Sequence, residues 1–140
     1  MKTLISAFVE LEVPFHDVDV MGVVWHGHYL KYFEQARTAL LKKIWFDYPQ
    51  MSELGYVWPV VECYVKYLRP IRYSQRIKVD VQMVEYENRL RMSYVITDMS
   101  TGEKLTKGET TQVALDIKTK ELQFVSPRFL IDIVEQVNHE

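Results

Sequence analysis

The residues whose types and spacing could do chemistry gather in one stretch, FHDVDVMGVVWHGHYLKYFEQARTALLKKI, at positions 15–44. Asp17 and Asp19 stand two residues apart. Gly22 follows, then the apolar run Val23-Val24-Trp25, then His26 and His28, and then a long amphipathic pattern. Two acids placed just ahead of a helix N-terminus put proton acceptors beside unpaired backbone donors and the positive end of a helix dipole.

Other chemistries fit the same residues less well. Asp-x-Asp-x-x-Gly resembles the start of a helix–loop–helix calcium loop, but the ligand at loop position five would be Met21 and the acid at position twelve would be His28, and a strand precedes it. A transition-metal site would draw on Asp17 or Asp19 with His26 and His28. Two positions apart on a helix, those histidines diverge by about 200°. His16 points away from Asp17 on a strand, so no metal is expected. The plainest reading is that the two acids cap a turn. Against it, Val23-Val24-Trp25 is too apolar for an exposed loop, so the acid leading into it is expected against an apolar wall. A carboxylate there costs free energy unless it is used or well hydrogen-bonded.

The elements that must position these residues follow from periodicity. Ile5, Ala7, Val9, Leu11, Val13 and Phe15 alternate with Ser6, Glu10 and Glu12, which predicts a strand ended by Pro14. Tyr29, Phe33, Ala36, Leu40 and Ile44 share one helical face, opposite Lys31, Gln35, Thr38 and Lys42, which predicts a helix over 29–44 with Gly27 as a permissible cap. Pro49 starts a short turn of helix ended by Gly55. Alternation then predicts strands from Val57 to Tyr67, from Arg76 to Met83, from Arg89 to Thr97 and from Lys104 to Ile117, with Gly108 as a bulge. A short amphipathic helix over 127–137 closes the chain. The expected architecture is α+β, an antiparallel five-stranded sheet of which four strands run as a meander, wrapped around one long central helix.

At 140 residues the chain is one domain, 1–140, large enough for its own core. A net charge of −2 with no basic block gives no reason to expect nucleic acid. The apolar patch near the N-terminus is too short for a membrane span and is interrupted by Glu10 and Glu12, and a cytoplasmic protein is expected. Cys63 is the single cysteine, so no internal disulfide forms, and its place in an alternating run predicts a buried, inert thiol.

The stretch also resembles the signature of the 4-hydroxybenzoyl-CoA thioesterase family of the hotdog-fold superfamily, especially its small bacterial acyl-CoA thioesterases. The matching positions are Asp17, Asp19, Gly22, Val23, Val24, Trp25, His26, Tyr29, Glu34 and Arg37. Val65-Lys66-Tyr67-Leu68-Arg69-Pro70 looks like the family's second strand and its terminal proline. Tyr73-Ser74-Gln75-Arg76 departs from the family's usual Gly-Asp or Asp-Asp, in a turn that is not expected to touch the chemistry.

The resemblance implies an acyl-CoA thioesterase that needs no cofactor. Asp19 is then the catalytic carboxylate, as general base on water or as nucleophile, and the backbone N–H of His26 polarises the thioester carbonyl. Asp17, Gly22, Val24, Trp25 and Tyr29 form the substrate-binding loop and helix start. Val60, Val61 and Glu62 of a partner's second strand complete the pocket, because hotdog sheets pair edge to edge into homodimers or homotetramers. Glu34 and Arg37 are read as an intrahelical pair, and Tyr29 and Tyr32 as core packing. The alternatives are a hydratase or dehydratase pairing Asp19 with His26, against which stands the missing proline-containing loop, and a non-catalytic module that binds an acyl chain or an acyl carrier protein.

Overall fold

The computed structural model describes residues 5–138. Its strands are β1 (Ser6–Glu12), β2 (Tyr56–Val57), β3 (Val60–Tyr67), β4 (Arg76–Glu85), β5 (Leu90–Asp98), β6 (Lys104–Gln112) and β7 (Leu115–Asp116). Its α-helices are α1 (Tyr29–Lys43), α2 (Tyr48–Glu53) and α3 (Arg128–Asn138). Five strands form one antiparallel sheet in the order β1-β4-β5-β6-β3, and β2 and β7 form a separate two-stranded ribbon. The α+β architecture is the one expected.

The alternating strands fold as their periodicity dictates. Ile77, Val79, Val81 and Met83 of β4 and Leu90, Met92, Tyr94 and Ile96 of β5 are buried on one face. Helix α1 lies on that face with Phe33, Ala36, Leu40 and Leu41 buried against it. Phe33 stacks on Tyr94 with ring centroids 4.4 Å apart and planes 14° apart. Offset stacking of this kind adds to what burial alone contributes.

Only β4, β5 and β6 run as a meander. The first of the four strands expected in that run, β3, lies apart from β4 at the far edge, beside β6. Helix α1 crosses the sheet and carries the chain from the β1 edge to the opposite one. As an edge strand, β3 is exposed along its length except at the half-buried Val65, and Cys63 is therefore an exposed thiol rather than a buried one. Gly108 is not a bulge. It pairs in register with Val65 and Tyr94, and a Cβ there would stand 2.4 Å from the Phe33 ring, so glycine is the residue that leaves room for that ring.

The long strands expected over 57–67 and 104–117 are each interrupted. Trp58 turns inward against Phe46, with centroids 5.2 Å apart, and the Gln112 amide donates to the Trp58 carbonyl at 2.7 Å. These contacts split the ribbon β2–β7 from the main sheet. Phe15, placed by alternation on the buried face, is exposed because the chain leaves the strand at Pro14 and enters a 3₁₀ turn at Phe15–Asp17. Helix α2 starts on Asp47 and Gln50 in a capping box that pattern reading missed.

Candidate functional site

Between β1 and α1 the chain forms a small hairpin. The Asp19 N–H donates to the Val23 carbonyl and the Gly22 N–H to the Asp19 carbonyl, both at 2.9 Å. Gly22 has φ +77°, a left-handed conformation that glycine adopts without strain, so the Asp-x-x-Gly spacing is that of a three-residue hairpin loop. Val18 pairs with Val24 and Val23 with Arg72, and the Val24 N–H donates to the Ile71 carbonyl at 2.7 Å. The hairpin is thus braced from below by the chain that leaves β3.

The two acids receive opposite surroundings. Asp17 is 1% exposed. One of its carboxylate oxygens accepts from Lys31 Nζ at 2.5 Å and the other from the Tyr32 hydroxyl at 2.6 Å. Burial works against its charged form, but the bonds from Lys31 and Tyr32 outweigh burial and hold its carboxyl below the usual carboxylate range. Burial and the neighbouring Asp17 charge push the Tyr32 phenol far up, so it stays a donor.

Asp19 is exposed at the hairpin tip. Its Oδ1 accepts from the Met21 N–H at 2.8 Å, and no other hydrogen bond reaches the carboxylate among the described residues. A cavity of about 670 Å³ opens beside it, lined by Phe15, Val18, Val20, Gly22 and Tyr73. Phe15 and Tyr73 meet edge to face with centroids 5.6 Å apart. The apolar wall expected beside an acid is there, but it is open to solvent: Val20 and Met21 are 102% and 77% exposed.

His26 to His28 form one 3₁₀ turn leading into α1. The helix N-cap is His28, not Gly27, and no side chain caps it. The Trp25 N–H donates to the Asp17 carbonyl at 3.0 Å and the His28 N–H to the Trp25 carbonyl at 2.9 Å. No acceptor for the His26 N–H is found among the described residues. The Trp25 ring folds over Gly27, where a Cβ would lie 2.1 Å from it, and lies beside the rings of His26 and His28 at 4.9 and 5.4 Å. Tyr67 of β3 donates to the His26 carbonyl at 3.1 Å and packs edge-on against the buried Tyr29.

Asp17, Asp19, Gly22, Val24, Trp25, His26 and Tyr29 therefore share one corner of the protomer. Val60, Val61 and Glu62 do not join them. They are exposed on β3, and Val61 and Glu62 line a separate groove of about 450 Å³ with Arg89 and Phe124. Glu34 and Arg37 form no ion pair. Glu34 faces solvent, whereas Arg37 is buried and its charge is felt by Tyr94 and Cys63.

Lys31 and Tyr32 are the site residues that pattern reading missed, placing one on the polar helix face and the other in the core. One signal was available. The first turn of α1 carries Lys31 and no acid, although the helix dipole favours the reverse, so an acid from elsewhere was to be sought there.

Residues 13–133 match the model of the thioesterase-like superfamily. The chain belongs to that superfamily. Its fold is the hotdog fold. Among relatives, a putative esterase of Synechocystis is 38% identical over 109 residues, covering 77% of this chain and 66% of that protein, just under two thirds of its length. A putative acyl-CoA thioesterase of Bacillus subtilis is 32% identical over 117 residues, covering 82% of this chain and 84% of that protein. Among solved structures, a DHNA-CoA thioesterase from Staphylococcus aureus superimposes with a TM-score of 0.84 at 28% identity, over 96% of this chain and 91% of that one. No helix among the described residues of this superfamily member is long and apolar enough to cross a membrane.

Proposed function

We propose that this chain hydrolyses acyl-CoA thioesters, with Asp19 as the catalytic carboxylate and the His26 N–H as the donor to the carbonyl. What carries this reading is the contrast between the two acids. Asp17 is buried with both oxygens held by Lys31 and Tyr32, and those bonds lower its proton affinity. Asp19 keeps an oxygen clear of the hairpin, beside a cavity with apolar walls.

The thioester oxygen accepts from the His26 N–H at the entrance to α1, where the positive end of the helix dipole adds to the pull on developing negative charge. Asp19 either takes a proton from water as the water attacks, or attacks the carbonyl itself to give an anhydride that water then opens. Either route breaks the C–S bond and releases the CoA thiol and a free acid. A thiolate is a good enough leaving group that one carboxylate suffices. Thioesters on an acyl carrier protein present the same bond and are the neighbouring substrate class.

The working unit in this reading is a cytoplasmic homodimer or homotetramer in which Val60, Val61 and Glu62 of a partner close the pocket over Asp19. The exposed β3 edge and the separation of the two half-sites within one protomer support it. The exposed free thiol of Cys63 suits a reducing compartment.

Asp19→Asn keeps the size of the side chain and the bond from Met21 while removing the base. It is expected to lower kcat on acyl-CoA by at least about 10²-fold with an unchanged melting temperature. Parent-like hydrolysis by a folded Asp19→Asn would remove Asp19 from the chemistry.

A further inference from the structure

We propose that Lys31 and Tyr32 are positioning residues for hydrolysis: acting through Asp17, they clamp the Asp19 hairpin to the first turn of α1 and so fix the Asp19 carboxylate relative to the His26 N–H. The inference rests on the reading of Asp19 as the catalytic carboxylate and goes beyond it to residues that touch no substrate.

Asp17 joins three things at once. Its two carboxylate oxygens are held by two successive residues of α1, at 2.5 and 2.6 Å, so the loop is tied to the helix at two points and cannot swing about either bond. Its backbone carbonyl accepts the Trp25 N–H at 3.0 Å, which closes the base of the hairpin. That bond also occupies the amide immediately before His26 and leaves the His26 N–H as the next donor at the helix entrance. Asp19 sits two residues further along the same hairpin, its tip set by the Asp19–Val23 and Gly22–Asp19 bonds. Base and donor therefore lie on one segment whose only side-chain hydrogen bonds to α1, among the described residues, are those of Asp17.

A device for packing alone would not need these groups. An ion pair between a buried carboxylate and a partly exposed ammonium, as Asp17 and Lys31 form, contributes little net stability compared with well-packed apolar residues of the same volume. What it does supply is a fixed geometry, because two short charge-assisted bonds define direction as well as distance. In catalysis that geometry matters steeply: a misplacement of ~1 Å costs about 10²-fold in rate.

The test compares Tyr32→Phe, Lys31→Met, Asp17→Asn and Asp19→Asn with the parent, measuring melting temperature, kcat and KM on one acyl-CoA well below the lowest melting temperature. Tyr32→Phe removes a single hydroxyl and keeps the ring in the core, so it remains informative where Asp17→Asn fails to fold. The clamp predicts that folded Tyr32→Phe and Lys31→Met lose kcat about 10- to 100-fold while KM stays within about threefold. It also predicts that Lys31→Arg, which keeps the cation, recovers most of the Lys31→Met loss. Parent-like kcat in folded Tyr32→Phe and Lys31→Met, with Asp19→Asn inactive, overturns the clamp and leaves the Asp19 reading standing. An active Asp19→Asn overturns the reading of Asp19 whatever the clamp variants do.

Discussion

Asp17 and Asp19 are the same residue type two positions apart, and the fold makes different chemical objects of them. At Asp17 the carboxylate is removed from water, which opposes its charge, but Lys31 and Tyr32 reverse the balance and depress its proton affinity. At Asp19 the carboxylate stays in solvent with one bond from its own turn. The depressed affinity of Asp17 has a thermodynamic consequence with a definite sign. The unfolded chain protonates Asp17 near the ordinary value of about 3.9, before the folded protein does. The stability that Asp17 contributes is therefore complete above that value, declines as pH falls below it, and is gone below its folded value. In urea unfolding the parent is expected to exceed Asp17→Asn in stability by a constant margin from pH 7 down to about pH 5, with the margin closing as pH approaches 3. A margin that stays constant to pH 3 would mean that Asp17 carries no charge-dependent bonds.

At the scale of elements, Gly108 and β3 separate what periodicity carries from what it does not. Alternation in β4 and β5 placed every inward residue correctly, because a strand buried on one face must repeat every second residue. The same reasoning located α1 and its apolar stripe. It failed where a residue answers to a neighbour distant in sequence. Gly108 looked like a bulge because glycine in a strand usually marks one, whereas it is set by the Phe33 ring on α1. Cys63 looked buried because β3 alternates, but alternation does not say whether a strand lies at a sheet's centre or its edge. Lys31 was given to the polar face of α1, since its partner Asp17 lies fourteen residues earlier in a loop. The Gly108 assignment has a direct check. Gly108→Ala forces its methyl against a fully buried aromatic ring, and overpacking of this kind costs about 1–3 kcal/mol. Urea denaturation is expected to show that loss with an unchanged slope, whereas a bulge glycine facing open space would lose less than about 1 kcal/mol.

At the scale of the whole molecule, the sheet of the described residues ends in two edge strands, β1 and β3, and β3 is the one that exposes a run of large apolar side chains. β3 presents Val60, Val61, Tyr64 and Tyr67 to solvent, each at least 45% exposed, along a row of backbone groups that no neighbouring strand covers on that side. An edge of this length and polarity invites pairing with another strand. Arg37 lies buried near it, hydrogen-bonded to Tyr94 and with its charge felt by Cys63. If two copies pair through β3, the cavity at Asp19 and the groove at Val61 and Glu62 become parts of one pocket rather than two unrelated hollows. Tyr64 tests this without touching Asp19, His26 or the clamp. Tyr64→Lys places like charges opposite each other across such an edge, which opposes pairing. The variant is expected to shift from dimer or larger assembly to monomer in sedimentation at micromolar concentration, and to lose hydrolysis in step with dissociation. Full activity in a monomeric Tyr64→Lys would mean that one protomer holds a complete site and that the β3 edge serves another purpose.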